Sequence, residues 1–158
     1  MAHKAVVITV SDSAHRGKRA DASGPALVGR LRELGYELAK IEVVPDECPA
    51  IENAIRRASA DANLIVTTGG TGLGPRDVTP EATLAVCDRL VPGLPELMRS
   101  YGAQHTENSW LSRGVCGICG AALVLNLPGS PIAALESLAA IERVLPHALE
   151  LLQGKTEH

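Results

Sequence analysis

Short apolar runs alternate along the chain with stretches whose apolar residues recur every three or four positions, the pattern of strands exchanging with helices. Ala5 to Val10 is continuously apolar but for Thr9 and rich in β-branched residues, and predicts a buried strand over Lys4–Val10. A second strand is expected over Glu37–Val44, with apolar positions at Leu38, Ile41 and Val43, and a third opens at Leu64-Ile65-Val66. Between the first two, Ala26, Leu27, Leu31 and Leu34 make one helical face, entered at Ser23-Gly24-Pro25 and stopped by Gly35. Further helices are expected over about Pro49–Ala60, Pro80–Leu90 and Leu94–His105. Two short strands then run through Leu127, and a last helix covers Pro131–Leu152. The charged stretch Ser11 to Ala22 reads as a loop.

Strands exchanging with helices at this spacing imply a mostly parallel sheet with helices on both faces, an α/β fold. A single domain over residues 1–153 accounts for the 158-residue chain, with no repeat or linker, and residues 154–158 read as a frayed tail. The composition is 46% hydrophobic yet has no Phe, one Trp and two Tyr, so the core must be aliphatic. Scarce aromatics and a net charge of −3 argue against binding single-stranded nucleic acid, which needs stacking platforms and basic grooves. No apolar run reaches the roughly 18 residues of a membrane span, so a soluble, cytoplasmic protein is expected. Cys116 and Cys119 form a C-x-x-C pair without a second ligand pair, and packing within the sheet is a better reading than a redox or zinc site.

The densest chemistry lies in Leu64 to Glu81, LIVTTGGTGLGPRDVTPE. Gly69, Gly70, Gly72 and Gly74 follow the strand, and a helix start follows them, with Thr79 as the expected N-cap and Pro80 in the first turn. Strand, glycine loop and helix in that order place backbone N–H groups and a helix N-terminus where a phosphate is favoured. Neither the Walker A nor the dinucleotide spacing is present. Arg76 and Asp77 come next instead. A carboxylate beside a phosphate calls for a cation between them, so Asp77 points to a bound divalent metal. The alternative is a plain tight turn with Asp77 capping the next helix. Asp46, after Pro45, ends the second strand, and alone it reads equally as a turn aspartate. Ser11-Asp12, Asp46, the glycine loop and Asn126 to Pro131 all follow strands, so one sheet edge collects them.

These motifs together resemble the MogA/MoaB-type family of molybdenum-cofactor biosynthesis proteins. The resemblance rests on T-V-S-D at Thr9 to Asp12, S-G-P at Ser23 to Pro25 and V-P-D-E at Val44 to Glu47. It continues through G-G-T-G and P-R-D-V-T-P-E-A within Gly69 to Ala82, L-S-R at Leu111 to Arg113, and N-L-P-G-S-P at Asn126 to Pro131. It implies a three-layer α/β/α sandwich, assembled as a homotrimer. It also implies molybdopterin adenylyltransferase activity: AMP passes from Mg-ATP to the terminal phosphate of molybdopterin, and the product goes on to a molybdate-insertion protein. By the same resemblance Asp46 and Asp77 are the catalytic, Mg2+-associated carboxylates. The molybdopterin and ATP sites are expected to draw on Ser11, Asp12, Ser23, Gly69, Gly70, Thr71, Gly72, Ser112, Asn126, Pro128, Gly129 and Ser130. Arg76 and Arg113 are expected to grip phosphates through their planar guanidinium groups. A non-catalytic molybdopterin-binding scaffold is the alternative; an exposed patch at Leu94, Leu97 and Met98 is expected to support self-association.

Overall fold

The structure, a computed structural model, describes residues 2–156. Residues 157 and 158 of the expected tail lie outside them. Four strands run parallel in the spatial order β2 (Glu37–Val44), β1 (Lys4–Val10), β3 (Leu64–Thr68) and β6 (Ala122–Leu127). Beyond β6 the sheet continues antiparallel through β5 (Cys116–Cys119) to β4 (Arg89–Leu90). Every residue of β3 and β6 is buried, because helices cover both faces. On one face Ala5, Val7, Val66 and Leu125 pack with α2 (Ser23–Glu33), α5 (Gly93–Ala103), α6 (Pro131–Ile141) and α7 (Leu145–Leu152). On the other, Val6, Ile8, Ile65 and Val124 pack with α3 (Cys48–Asp61) and α4 (Thr79–Val86). The expected three-layer α/β/α sandwich is therefore the observed fold.

Local rules explain most element ends. Gly35, at φ +91°, ends α2: its N–H donates to Arg32 O and that of Tyr36 to Leu31 O, the paired closure of a left-handed C-terminus. The apolar phase of β2 steps by three from Leu38 to Ile41 because its pairing with β1 slips at Ala39; Leu38 faces Ala5, and Lys40 faces Val6. Three expected segments differ, and one element is additional. The loop after β1 carries one helical turn, α1 (Asp12–His15), capped by the Ser11 hydroxyl. α4 stops at Val86, since Cys87 turns extended and the next residues pair with β5; this tertiary pairing overrides the local helical pattern. The last helix is two, because Pro146 lacks an N–H and its ring excludes the carbonyl of Glu142 four residues back. A 3-10 helix over Glu107–Leu111 follows α5.

Leu94 and Met98 turn into the core and only Leu97 is exposed, so the expected patch on α5 does not form. Exposed apolar side chains lie instead at Leu73, Trp110, Leu111 and Ile132. Cys116 and Cys119, three apart on a strand, point to opposite faces and into different halves of the core. Both are free thiols; burial pushes Cys116 up to about 12 and the adjacent Cys87 up to about 11, which disfavours the thiolate at those two.

Candidate functional site

The chain leaves β1 for β2 on one side and returns as β3 on the other, so the carboxyl ends of β1 and β3 diverge and open a crevice between them. A cleft of about 280 Å³ sits there, lined among others by Ser11, Ser23, Asp46, Gly69, Gly70 and Asp77, with Gly129 from the β6 turn. A second, more apolar cleft of about 260 Å³ takes Thr71, Gly72, Ser112, Asn126 and Pro128. The glycine loop and the Pro128-Gly129 turn contribute to both, so the two clefts adjoin. Asp12, Arg76 and Arg113 stand outside both linings. Ser130 is exposed and serves as N-cap of α6, its hydroxyl accepting from Ala133 N–H.

Close approach explains the glycines. Gly69 (φ +100°) and Gly70 (φ +66°) are left-handed, a conformation that side chains disfavour. A Cβ on Gly69 would lie 2.3 Å from the Val10 carbonyl oxygen, and one on Gly70 2.3 Å from Thr79 Oγ1. Thr79 is the first residue of α4 rather than its cap; its hydroxyl donates to Gly69 O at 2.9 Å and its N–H to Gly70 O at 3.1 Å. Gly72 and Gly74 keep ordinary backbone angles, but a Cβ on either would lie 2.9 Å from Asp77 Oδ2. Asp77 therefore folds back on the loop, accepting from Gly74 N–H at 2.9 Å, and does not cap α4.

Asp46 and Asp12 grip each other's backbone. Asp46 Oδ2 accepts from Asp12 N–H at 2.8 Å, and Asp12 Oδ1 from Asp46 N–H at 3.0 Å. Burial pushes the Asp46 carboxyl above its ordinary value, and the charges of Asp12 and Asp77 add to this. A divalent cation would reverse that cost. The donor set suits Mg2+: Oδ1 of Asp46 and Oδ1 of Asp77 make no hydrogen bond among the described residues, and both carboxylates line one cleft. No group of three or more His, Cys, Asp or Glu forms a cage among the described residues. Magnesium needs none, since it takes one or two carboxylates and fills its remaining positions with water and substrate oxygens.

The two arginines are committed within the chain. Arg76, exposed, donates to both oxygens of Asp12 at 3.0 and 3.1 Å. Arg113 donates from Nε to Gly72 O at 2.8 Å and from Nη2 to Asp77 O at 2.7 Å, and pairs with Glu81. It clamps the glycine loop to the start of α4, so the expected phosphate grip is not its arrangement here. Asn126 is likewise engaged internally: Oδ1 accepts from Val115 N–H, and Nδ2 donates to Thr67 and Thr83 at 3.0 and 2.9 Å. Its amide fastens β6 to β3 and α4 beneath the second cleft.

Sequence reasoning missed several residues at these clefts. Asp21 lines the first, where it accepts from Thr9 Oγ1 at 2.8 Å and Gly24 N–H at 3.0 Å; an acid three residues before a helical glycine was a readable entry signal. Arg99 of α5 and Glu136 and Ser137 of α6 line the second. Glu136 is the only charged residue of α6, and a lone charge on an apolar helix was its signal.

The family model for a "Probable molybdopterin binding domain" matches residues 6–147. A molybdopterin adenylyltransferase of Helicobacter pylori J99 is 38% identical, over 94% of this chain and 86% of that protein. The molybdenum cofactor biosynthesis bifunctional protein of Synechococcus elongatus is 41% identical over 95% of this chain. The chain spans only 47% of that relative's length, and 25% of the molybdenum cofactor synthesis protein cinnamon of Drosophila melanogaster. Among solved structures, the molybdopterin biosynthesis enzyme MoaB of Thermus thermophilus superposes with a TM-score of 0.91 at 50% identity, over 97% of this chain and 98% of that one. With the motifs, the sandwich and the paired clefts already in place, these matches make the assignment plain: the chain belongs to the MogA/MoaB-type family of molybdenum-cofactor biosynthesis proteins.

Proposed function

We propose that the protein is a molybdopterin adenylyltransferase that transfers AMP from Mg-ATP to the terminal phosphate of molybdopterin and releases pyrophosphate. The observation that carries this reading is the meeting of Asp46, Asp77 and the Gly69–Gly70 backbone in one switch-point cleft, in a chain similar along nearly its whole length to named adenylyltransferases. Two phosphate-bearing reactants repel each other, so neutralising charge and aligning them is most of the catalytic task. Asp46 and Asp77 would hold Mg2+, which supplies charge neutralisation on the triphosphate. The loop N–H groups orient anionic oxygens, and the Arg113 clamp keeps the loop and Asp77 in register. The molybdopterin phosphate oxygen forms the new bond to the α-phosphorus while the bond to the β-phosphate bridge breaks.

Incubating the purified protein with molybdopterin and Mg-ATP should release pyrophosphate and form adenylylated pterin. Tight molybdopterin binding without pyrophosphate release would transfer the reading to the scaffold function. Cytoplasmic location and hand-over to a molybdate-insertion protein follow from the same reading. Among the described residues no helix is long and apolar enough to cross a membrane.

Two further outcomes are expected. The protein should sediment as a homotrimer, with exposed Trp110, Leu111 or Ile132 among the residues a neighbour would cover; a monomer mass at micromolar concentration would exclude this. Replacing Cys116 and Cys119 together by alanine should cost stability on the scale of small core cavities, about 1–3 kcal/mol, and leave turnover within about tenfold. A folded double variant with a larger loss of turnover would reopen a thiol role.

A further inference from the structure

We propose that Arg19, the free cation at the rim of the first cleft, takes the leaving pyrophosphate. The assignment rests on the functional reading above and deepens it by naming the residue that receives the phosphates not transferred. The two arginines of the sequence motifs are committed elsewhere, Arg76 to Asp12 and Arg113 to the glycine loop. Arg19 is the one cation in the lining of this cleft, and its side chain makes no hydrogen bond or ion pair among the described residues.

The loop that carries Arg19 is fixed through its backbone while its side chains stay free. After the turn of α1, Gly17 takes a left-handed φ of +71°, and its N–H donates to Ala14 O at 3.1 Å. Ser13 O then accepts from Lys18 N–H at 2.9 Å and from Arg19 N–H at 3.3 Å. Arg19 to Ala22 run on along the cleft wall. Asp21, the nearest acid in sequence, is engaged with Thr9 Oγ1 and Gly24 N–H and forms no ion pair with Arg19.

The chemistry of the cleft calls for such a cation. Its lining sets three carboxylates, Asp21, Asp46 and Asp77, against Arg19 alone. A single Mg2+ cannot offset these acids and a triphosphate together. Charge then concentrates on the leaving group during the reaction. As the molybdopterin phosphate oxygen bonds to the α-phosphorus, the bond from that phosphorus to the bridging oxygen breaks, and its electron pair departs with pyrophosphate. A guanidinium is always charged, and its fork meets two phosphate oxygens at once. Donors aimed where charge develops lower the barrier. Arg19 meets only the departing phosphates, so a nucleoside monophosphate gains nothing from it.

Calorimetric titration of wild-type protein, Arg19→Gln and Lys18→Gln with magnesium pyrophosphate, and separately with AMP, tests this. Lys18→Gln removes the same charge one residue away, from a side chain outside the cleft lining. Both positions are exposed, so neither change should move the unfolding midpoint. Pyrophosphate affinity should fall by about tenfold to a hundredfold in Arg19→Gln, the scale of hydrogen bonds to charged groups, and should hold within about threefold in Lys18→Gln. AMP affinity should hold in all three proteins. Pyrophosphate release from molybdopterin and Mg-ATP should slow by about tenfold in Arg19→Gln. Wild-type protein that binds no magnesium pyrophosphate overturns the proposal, as does equal affinity in wild type and Arg19→Gln. Equal losses in the two variants overturn it too, because they assign the effect to a diffuse field, and so does an equal loss for AMP. Protein that binds pyrophosphate through Arg19 yet releases none from molybdopterin and Mg-ATP leaves this site standing and overturns the functional reading instead.

Discussion

Asp77→Asn is expected to slow pyrophosphate release by about a hundredfold or more, roughly 2.7 kcal/mol of barrier. The substitution keeps the shape of the side chain, and its carbonyl oxygen can still accept from Gly74 N–H, which now lies 2.9 Å from Asp77 Oδ2. What disappears is a negative charge at the lining of the cleft that also holds Asp46 and the Gly69–Gly70 turn. Without a cation, that charge would repel a triphosphate; with Mg2+ it helps hold the metal, so its removal should be felt at the reaction. Asp46→Asn should behave alike, because its Oδ2 contact with Asp12 N–H also survives the change. The double variant should lose far less than the product of the two single effects, since both carboxylates act through one metal. Molybdopterin affinity should change little in either single variant. Turnover at saturating Mg2+ decides the matter: near-normal rates in Asp77→Asn would remove the metal-carboxylate mechanism and favour the scaffold reading.

Gly69→Ala should have the largest effect on stability, a loss of about 2–5 kcal/mol. The left-handed backbone at φ +100° costs a side-chain-bearing residue about 1–2 kcal/mol. The new methyl would also meet the Val10 carbonyl oxygen at 2.3 Å, and that oxygen belongs to the backbone of a buried strand that cannot swing aside. Forced overpacking of this kind costs about 1–3 kcal/mol more. For a chain of this size the unfolding midpoint should fall by roughly 4–20 °C. Gly17→Ala is the control, since its φ of +71° is left-handed too but, its chain neighbours aside, no atom of the described residues lies within 4 Å of the added carbon. It should lose only the conformational part. Equal losses at the two positions would show that contact with Val10 contributes nothing.

The sheet, its mostly parallel sense and the covering helices were legible in the chain because each rests on local order. The apolar runs of β1, β3 and β6 need burial on both faces, and the period of α2 with its stop at Gly35 needs only neighbours in sequence. The glycine loop was legible for the same reason, as a strand, four glycines and a helix start in succession. Even the break at Pro146 was written locally, in a residue that cannot continue a helix.

The roles inside the site were not legible in that way, because a side chain's partners are set by which distant segments the fold brings beside it. Arg76 and Arg113 look alike in sequence as cations near a phosphate motif. Only the packed chain gives one to Asp12, 64 residues away, and commits the other to Gly72, Asp77 and Glu81. Asn126 reads as a ligand group until β3 and α4 close on its amide and occupy it. Glu136 reads as one surface acid until α5 and α6 come together over a cleft and leave it half-buried and without a partner among the described residues. The sequence by itself determined the elements, the sheet and the edge where chemistry gathers, since periodicity and turn residues act over a few positions. Tertiary structure alone decided which charges are neutralised within the chain and which remain for a ligand, since burial and hydrogen bonding depend on contacts between residues far apart in sequence.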